Sequence, residues 1–399
     1  MVKLFQVNVA ANWGSHGRIA EEIGNLVQEK GWESCIAYGR YANHSRSKLL
    51  RIGNPWNVFI HGVKSLFLDN HGLNSVGATK RLIYNIEQYS PSLIHLHNIH
   101  GYYLNYPLLF DYLAGCGVPV VWTLHDCWPF TGHCSHPIYA HCEKWVMGCR
   151  HCAALSSYPR SLFFDRSESN YMTKKDYFNR VNNLTIVSVS RWLDEMVEHS
   201  FLNNHRHVFI YNGVDCDIFN PQFHMRKQDE FLVLGVANVW YAQKGLNVFF
   251  EIRKMLPENY HILLVGLSNR QIRNLPKGIE GIHRTDNVTQ LVDLYSRADV
   301  FVNPSLAETF GLTTVEALSC GTPAVVYNTS ACPELVTEDT GRVVPLDNIS
   351  AMAEAIIQLC NNNNQTDMRI SCRERAVKYF NKNDRYQEYL DLYNSLLKH

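Results

Sequence analysis

Residues 304–326 read PSLAETFGLTTVEALSCGTPAVV, preceded by the apolar run FVN at 301–303. Pro304 stops a strand, Gly311 permits a sharp entry, and LTTVEALSC fits a short helix that Gly321 and Pro323 terminate. The order is strand, loop, helix, turn, strand, one repeat of a parallel α/β layer. Glu308 falls in the loop and Glu316 inside the helix. The helix start presents unpaired N–H groups around Gly311, Leu312 and Thr313, suited to phosphate, and Thr313 and Thr314 bring hydroxyls. Phosphate would repel a neighbouring carboxylate. The two glutamates are therefore expected to accept hydrogen bonds from hydroxyl groups on either side of a phosphate rather than to touch it.

Outward from this stretch, β-rich runs alternate with helical patterns along nearly the whole chain. The strand candidates are KLFQVNVA, ESCIAYG, SLIHLHN, VPVVWTLHD, LTIVSVS and HVFIYNG, followed by a second series, FLVLGVAN, YHILLVG, GIEGIHR, ADVFVNP, TPAVVYN and GRVVP. Two Rossmann-like domains in tandem are the economical reading, and 399 residues exceed what one ordinary core encloses. The expected boundaries are residues 1–211 for the first domain, 212–230 for a turn-rich, charged linker, and 231–380 for the second. Residues 381–399 form a final helix that carries Tyr386, Tyr389, Leu390, Tyr393, Leu396 and Leu397 on one stripe and could pack on either domain, including back on the first.

Lys+Arg and Asp+Glu both number 37, which removes any general electrostatic case for a nucleic-acid partner. The first 215 residues hold 19 basic and 16 acidic residues, a mild excess that would suit an anionic membrane face or a phosphorylated acceptor. The start shows no charged region followed by an apolar core and cleavage site, and no apolar run approaches membrane-spanning length. A cytoplasmic protein, peripheral at most on a membrane, is the expectation. YPRSLFFDRSESNYMTKKDYF at 158–178 reads either as a solvated loop and helix or as a contact to a membrane or lipid-linked acceptor.

Two further stretches carry chemistry. NWGSHGR at 12–18 follows the first strand, and Gly14 and Gly17 either let backbone N–H groups approach an anion or sugar or simply make a tight turn. GVANVWYAQKG at 235–245 sets Lys244 before the helix LNVFFEIRKML, where its ammonium would face a diphosphate; a solvated surface lysine is the alternative. His125 and Asp126 end the strand VPVVWTL, where parallel-sheet logic faces them to an interdomain cleft and a structural strand cap is the alternative for His125; His95, His97 and His100 cluster at the end of another strand, each either lining the acceptor side or packed or solvent-facing.

The insert CWPFTGHCSHPIYAHCEKWVMGCRHC spans residues 127–152. Cys134, Cys142, Cys149 and Cys152 include a C-x2-C pair, with His133, His136, His141 and His151 interleaved. Four thiolates can close a tetrahedral structural zinc site that stabilises a loop too short to own a core. Structural zinc is the expectation, with free thiols or a redox-labile disulfide as alternatives.

PSLAETFGLTTVEALSCGTPAVV resembles the E-x7-E signature of retaining GT-B glycosyltransferases, in particular glycosyltransferase family 4. NWGSHGRIAEEI, VSVSRWL, NGVDCDIFNP and QKG are similar to other segments of that family, so the resemblance covers essentially the full chain. The cysteine insert resembles a bacterial surface-polysaccharide branch, that of colanic acid transferases. The resemblance implies two Rossmann-like domains facing a cleft, with catalytic roles for Glu308, His125 and Lys244. Glu308 would contact donor-sugar hydroxyls, Glu316 the ribose, and Lys244 the departing diphosphate, with Phe310, Gly311 and Leu312 along the sugar and diphosphate. The family's usual arginine before the lysine is missing: Asn238 and Val239 stand there, so that either Asn238, Arg270 or Arg284 substitutes or diphosphate binding is weaker. Asp286 to Val288 would meet the base. The implied activity is retaining, metal-independent transfer of a hexose from a UDP- or GDP-linked donor to a glycan acceptor, lipid-linked, in bacterial exopolysaccharide or capsule assembly. A sugar-nucleotide epimerase or hydrolase of the same architecture, or a noncatalytic sugar-nucleotide-binding module, is the alternative.

Overall fold

The computed structural model describes residues 1–222 and 230–398. Residues 223–229, within the stretch read as a linker, and His399 lie outside the described residues. The chain divides into Met1–Ile210 with Tyr386–His399, and Tyr211–Arg385.

The first unit is built on a seven-stranded parallel sheet ordered β3-β2-β1-β4-β5-β6-β7. Its strands are β1 (Lys3–Ala11), β2 (Glu33–Ala42), β3 (Lys48–Arg51), β4 (Leu93–Leu96), β5 (Val120–Leu124), β6 (Leu184–Ser188) and β7 (Arg206–Phe209). Edge strand β3 was not among the runs read from sequence; at four residues, KLLR is too short for an alternation signal. The central strands β4, β5 and β6 are buried at every position. That explains their continuous rather than alternating apolar runs, because helices cover both faces of such a sheet.

The last helix (Lys382–Leu397) carries its aromatic stripe into this unit's core. Tyr386, Tyr389, Leu390 and Tyr393 pack with Leu4, Ile19, Ile23, Val27 and Leu93. Its hydroxyls reach the sheet as well: the Tyr393 hydroxyl bonds His95 Nδ1 at 2.6 Å, and Thr123 Oγ1 donates to the Tyr389 hydroxyl at 3.1 Å.

The second unit holds six parallel strands, β8 (Phe231–Val236), β9 (Tyr260–Val265), β10 (Ile279–Ile282), β11 (Val300–Asn303), β12 (Ala324–Tyr327) and β13 (Gly341–Val344), ordered β10-β9-β8-β11-β12-β13. Part of the expected linker is built into this unit. Val214 bridges to Asn381, and the Phe219 carbonyl accepts from Ser319 Oγ at 2.6 Å and Arg373 Nη1 at 2.7 Å.

In each unit the strand order reverses beside the first strand, between β1 and β4 and between β8 and β11. Crevices outside the carboxyl ends of strands at such reversals are where open α/β sheets bind ligands.

Candidate active site

The loops leaving β8 and β11 bring Lys244 and Glu308 together. After β8 the chain makes a short turn, Ala242–Lys244, and Gly245 adopts φ +73. A side chain there would also collide with the Pro304 carbonyl, so the close approach of the two loops requires glycine. Leu306 N–H donates to the Gln243 carbonyl at 2.8 Å and joins the loops directly.

Lys244 Nζ then lies 2.5 Å from Glu308 Oε1, with side-chain exposures of 28% and 14%. The same carboxylate oxygen accepts from Ser305 Oγ at 2.9 Å, and Glu308 N–H donates to Ser330 Oγ at 2.8 Å. Lys244 and Ser305 thus hold the carboxylate, while Ser330 holds the Glu308 backbone. Sequence reasoning missed both Ser305 and Ser330.

The helix Leu312–Ser319 opens at Gly311, φ +103, with no side chain capping its first N–H groups. Its start offers backbone donors and a positive dipole end beside the loop of Glu308. Leu312 and Thr313 are half-buried, leaving part of each at the surface. Thr314 is different. It is fully buried and its Oγ1 accepts from Asn303 Nδ2 at 3.0 Å, so it is a packing residue and not the hydroxyl donor expected.

Phe310 also departs from expectation. Its ring is 2% exposed and sits against Tyr211 and Phe380, centroids 5.9 and 5.8 Å away. It anchors the loop from beneath and has no surface to lay along a sugar. Glu316 Oε2 accepts from the Tyr295 hydroxyl at 2.9 Å. Burial, reinforced by the Glu316 charge, holds that phenol well above its ordinary range, so it stays a donor. Tyr295, 21 residues before Glu316, had no signal in the sequence.

Asn238, Arg270 and Arg284 are all exposed. In the segment assigned to the base, Asn287 caps the helix Val288–Arg297 by accepting from Gln290 N–H at 2.9 Å.

In the first unit, Gly14 begins α1 (Gly14–Glu29) with φ +68, and Gly17 packs against the Ala10 backbone, where a β-carbon would be crowded at 3.3 Å. His125 follows β5 half-buried, sharing a hydrogen bond with His97 Nδ1 at 3.2 Å. His97 passes its other nitrogen to Gln6 Oε1 at 3.0 Å, and His95 lies between Thr123 and Tyr393. Those two are internal pillars rather than acceptor contacts. Burial, then the neighbouring rings, lowers His97 and His125 well below the ordinary imidazole range, leaving both neutral at pH 7. His16, whose ring centroid is 5.9 Å from that of His125, is lowered by burial to about 4.

A second chain of polar groups runs beside them. His100 Nε2 lies 2.9 Å from Asp126 Oδ2, and its Nδ1 is 3.1 Å from the Tyr158 hydroxyl. Burial pushes the Asp126 carboxyl up, but the neighbouring His100 and backbone donation from Trp128 outweigh it and leave it at about 2.

Cys134, Cys142, Cys149 and Cys152 line one cavity of about 10 Å³, each a free thiol. Even so, among the described residues no group of three or more His, Cys, Asp or Glu side chains is arranged to hold a metal ion. The zinc expected from spacing has no formed ligand set. The four cysteines share one cavity, and two of them have other hydrogen-bond partners. Cys149 Sγ accepts from Gly132 N–H at 3.1 Å, and Cys152 N–H donates to Asp165 Oδ2 at 2.7 Å.

The base of the insert is pinned by Lys174, which sequence reasoning missed. It is 1% exposed and donates to the Trp128 and Thr131 carbonyls at 2.7 and 2.9 Å, its ammonium 3.4 Å from the centre of the Trp128 ring.

Residues 230–362 match the family described as Glycosyl transferases group 1. The putative colanic acid biosynthesis glycosyl transferase WcaC of Escherichia coli (strain K12) is 22% identical over 99% of this chain and 100% of its own length. Among solved structures, sucrose-phosphate synthase of Thermosynechococcus elongatus superposes with a TM-score of 0.75 at 18% identity over 100% of both chains. Anabaena HepE in complex with UDP-glucose gives 0.65 at 15% identity over 99% of this chain and 100% of that one. These likenesses carry the GT-B fold. Residues 16–218, about half of the chain, match Glycosyltransferase Family 4, and the protein belongs to that family.

Proposed function

We propose that this glycosyltransferase is a retaining, metal-independent hexosyltransferase. Its donor is a UDP- or GDP-linked hexose and its acceptor a lipid-linked glycan in bacterial surface-polysaccharide assembly. The observation that carries the reading is the Lys244–Glu308 pair beside the uncapped start of the helix Leu312–Ser319. A diphosphate at that helix start meets backbone N–H groups and the Lys244 ammonium, which stabilise the negative charge as it develops on the leaving group. The chain itself supplies this positive potential, which is why the reading needs no cation. Glu308 accepts hydrogen bonds from the sugar hydroxyls, and Glu316, steadied by Tyr295, accepts from the ribose.

In the transfer, the bond from the anomeric carbon to the phosphate oxygen breaks and its electron pair leaves with the diphosphate. The acceptor hydroxyl forms the new bond on the same face, and its proton passes to the departing phosphate oxygen. UDP-glucose bound by Anabaena HepE and the colanic acid role named for the Escherichia coli relative support the donor and acceptor classes.

The test is incubation of the purified chain with UDP- and GDP-hexoses, with and without lipid-linked glycan acceptors, in the presence of EDTA. Product of unchanged anomeric configuration, read by NMR coupling, is expected. An inverted product, or complete arrest by EDTA, overturns the mechanism; epimerised sugar formed without acceptor assigns an isomerase instead.

A further inference from the structure

The helix α2 (Pro55–Leu68) is inside out. Its buried residues are His61 and Ser65, while Trp56, Phe59, Ile60, Val63 and Phe67 project outward, with Trp56 72% and Phe59 62% exposed. These five follow the spacing of one helical face. The polar residue inside fixes the orientation: His61 Nε2 accepts from Gly72 N–H at 3.1 Å and its Nδ1 bonds Ser75 Oγ at 2.8 Å. A second apolar element joins this face. Leu162 N–H donates to the Leu66 carbonyl at 2.8 Å, the Phe163 ring stacks on Phe67 at 5.6 Å, and Phe163 and Phe164 are 71% and 56% exposed.

The chain flanking this helix is predominantly basic. From residue 33 to residue 87 the chain carries seven basic residues, Arg40, Arg46, Lys48, Arg51, Lys64, Lys80 and Arg81, against three acids, Glu33, Asp69 and Glu87. Asp69 is buried, its carboxylate 2.6 Å from His133 Nδ1 and accepting Arg166 N–H at 2.7 Å, so it adds little to the surface field. Arg46 is paired with exposed Glu29 at 3.5 Å, and Asp165 and Glu168 flank the aromatic loop. Lys48, Arg51, Lys64, Lys80 and Arg81 are all exposed.

We propose that this face docks on an anionic lipid bilayer. The contact lies in the plane of the interface, with the outer side of α2 and the loop at 162–164 inserted and the lysines and arginines against lipid phosphates. Large aromatic and branched side chains outward, with basic residues around them, is the composition that binds the headgroup boundary. No helix among the described residues is long and apolar enough to cross a membrane, which agrees with surface docking. A second copy of the chain is disfavoured as occupant, because bringing two such basic surfaces together sets like charges against each other. The inference is independent of the donor site.

The test is flotation of the full chain with vesicles of phosphatidylglycerol and phosphatidylethanolamine, and with vesicles of phosphatidylcholine alone. At least tenfold more protein should float with the anionic vesicles, and raised salt should reduce that fraction. Phe59→Ser with Phe163→Ser, and separately Lys64→Glu with Lys80→Glu, should each reduce binding at least tenfold while leaving the melting temperature near that of the parent. Brominated lipid should quench tryptophan emission in the parent, and Trp56→Phe should remove most of that quenching. Failure of the parent to float with anionic vesicles, or flotation unchanged in both double variants, overturns the proposal. A dimer in sedimentation velocity that Phe59→Ser with Phe163→Ser abolishes would assign the face to a second copy.

Discussion

Replacing Glu308 by Gln separates a role in transfer from a role in holding the loops. At 2.5 Å the attraction to Lys244 is about 7 kcal/mol gross at an effective dielectric of about 20. Desolvation and screening cancel most of that for a pair exposed by 28% and 14%, leaving about 1 kcal/mol net. Glutamine keeps an oxygen for Lys244 and Ser305, so the melting temperature should fall by about 2–4 °C at most. The transfer rate should fall far more. A neutral amide accepts more weakly from sugar hydroxyls and leaves Lys244 without its counter-charge between turnovers. Loss of one such oriented group costs about 10²–10³ in rate, or roughly 3–4 kcal/mol. Initial rates of nucleoside diphosphate release with acceptor present, set beside calorimetric melting of the same preparation, read both quantities. Full activity in Glu308→Gln would refute the role given to the carboxylate. A melting temperature lowered by about 10 °C or more would show instead that Glu308 chiefly holds the fold.

Lys244→Met should weaken inhibition by nucleoside diphosphate about tenfold or more, because the ammonium is a direct counter-charge to the leaving group; competition against the donor measures it. Tyr295→Phe removes one hydrogen bond to Glu316 and should raise the donor KM about fivefold with kcat little changed, since about 1 kcal/mol of positioning is lost. Lys174→Met strips two carbonyls of their donor and should lower unfolding stability by about 2–4 kcal/mol, read by urea titration. Burial depresses Lys174 to about 7, below the unfolded value near 10.4, so the unfolded chain binds more protons between them. The parent should therefore gain stability relative to Lys174→Met as pH rises from about 7 to about 10, and a falling difference would contradict the burial argument.

The alternation of strands and helices, the turn at Gly311, the loop position of Glu308 and the lysine before Gly245 were legible in the sequence, because each is set by residues adjacent in the chain. Periodicity also identified the stripe of the last helix. What that stripe covers is settled by contacts with Leu4, Ile23 and Leu93, hundreds of residues away in the chain. The partners of the two glutamates were illegible for the same reason. Nothing near Glu316 marks Tyr295, and Ser330 lies 22 residues beyond Glu308. Phe310 and Thr314 show the complementary failure. A motif places residue types in order but does not say which side chains turn inward.

Helix α2 gives the sharpest division. Its sequence determines two faces, one carrying Trp56, Phe59, Ile60, Val63 and Phe67 and the other His61 and Ser65. An apolar face ordinarily turns to the core, and the segment alone would be read that way. Only the tertiary structure decided the reverse, because His61 finds its partners at Gly72 and Ser75 inside the unit. Helical periodicity fixes which residues share a face, whereas the direction that face looks depends on hydrogen bonds the folded chain alone brings within reach.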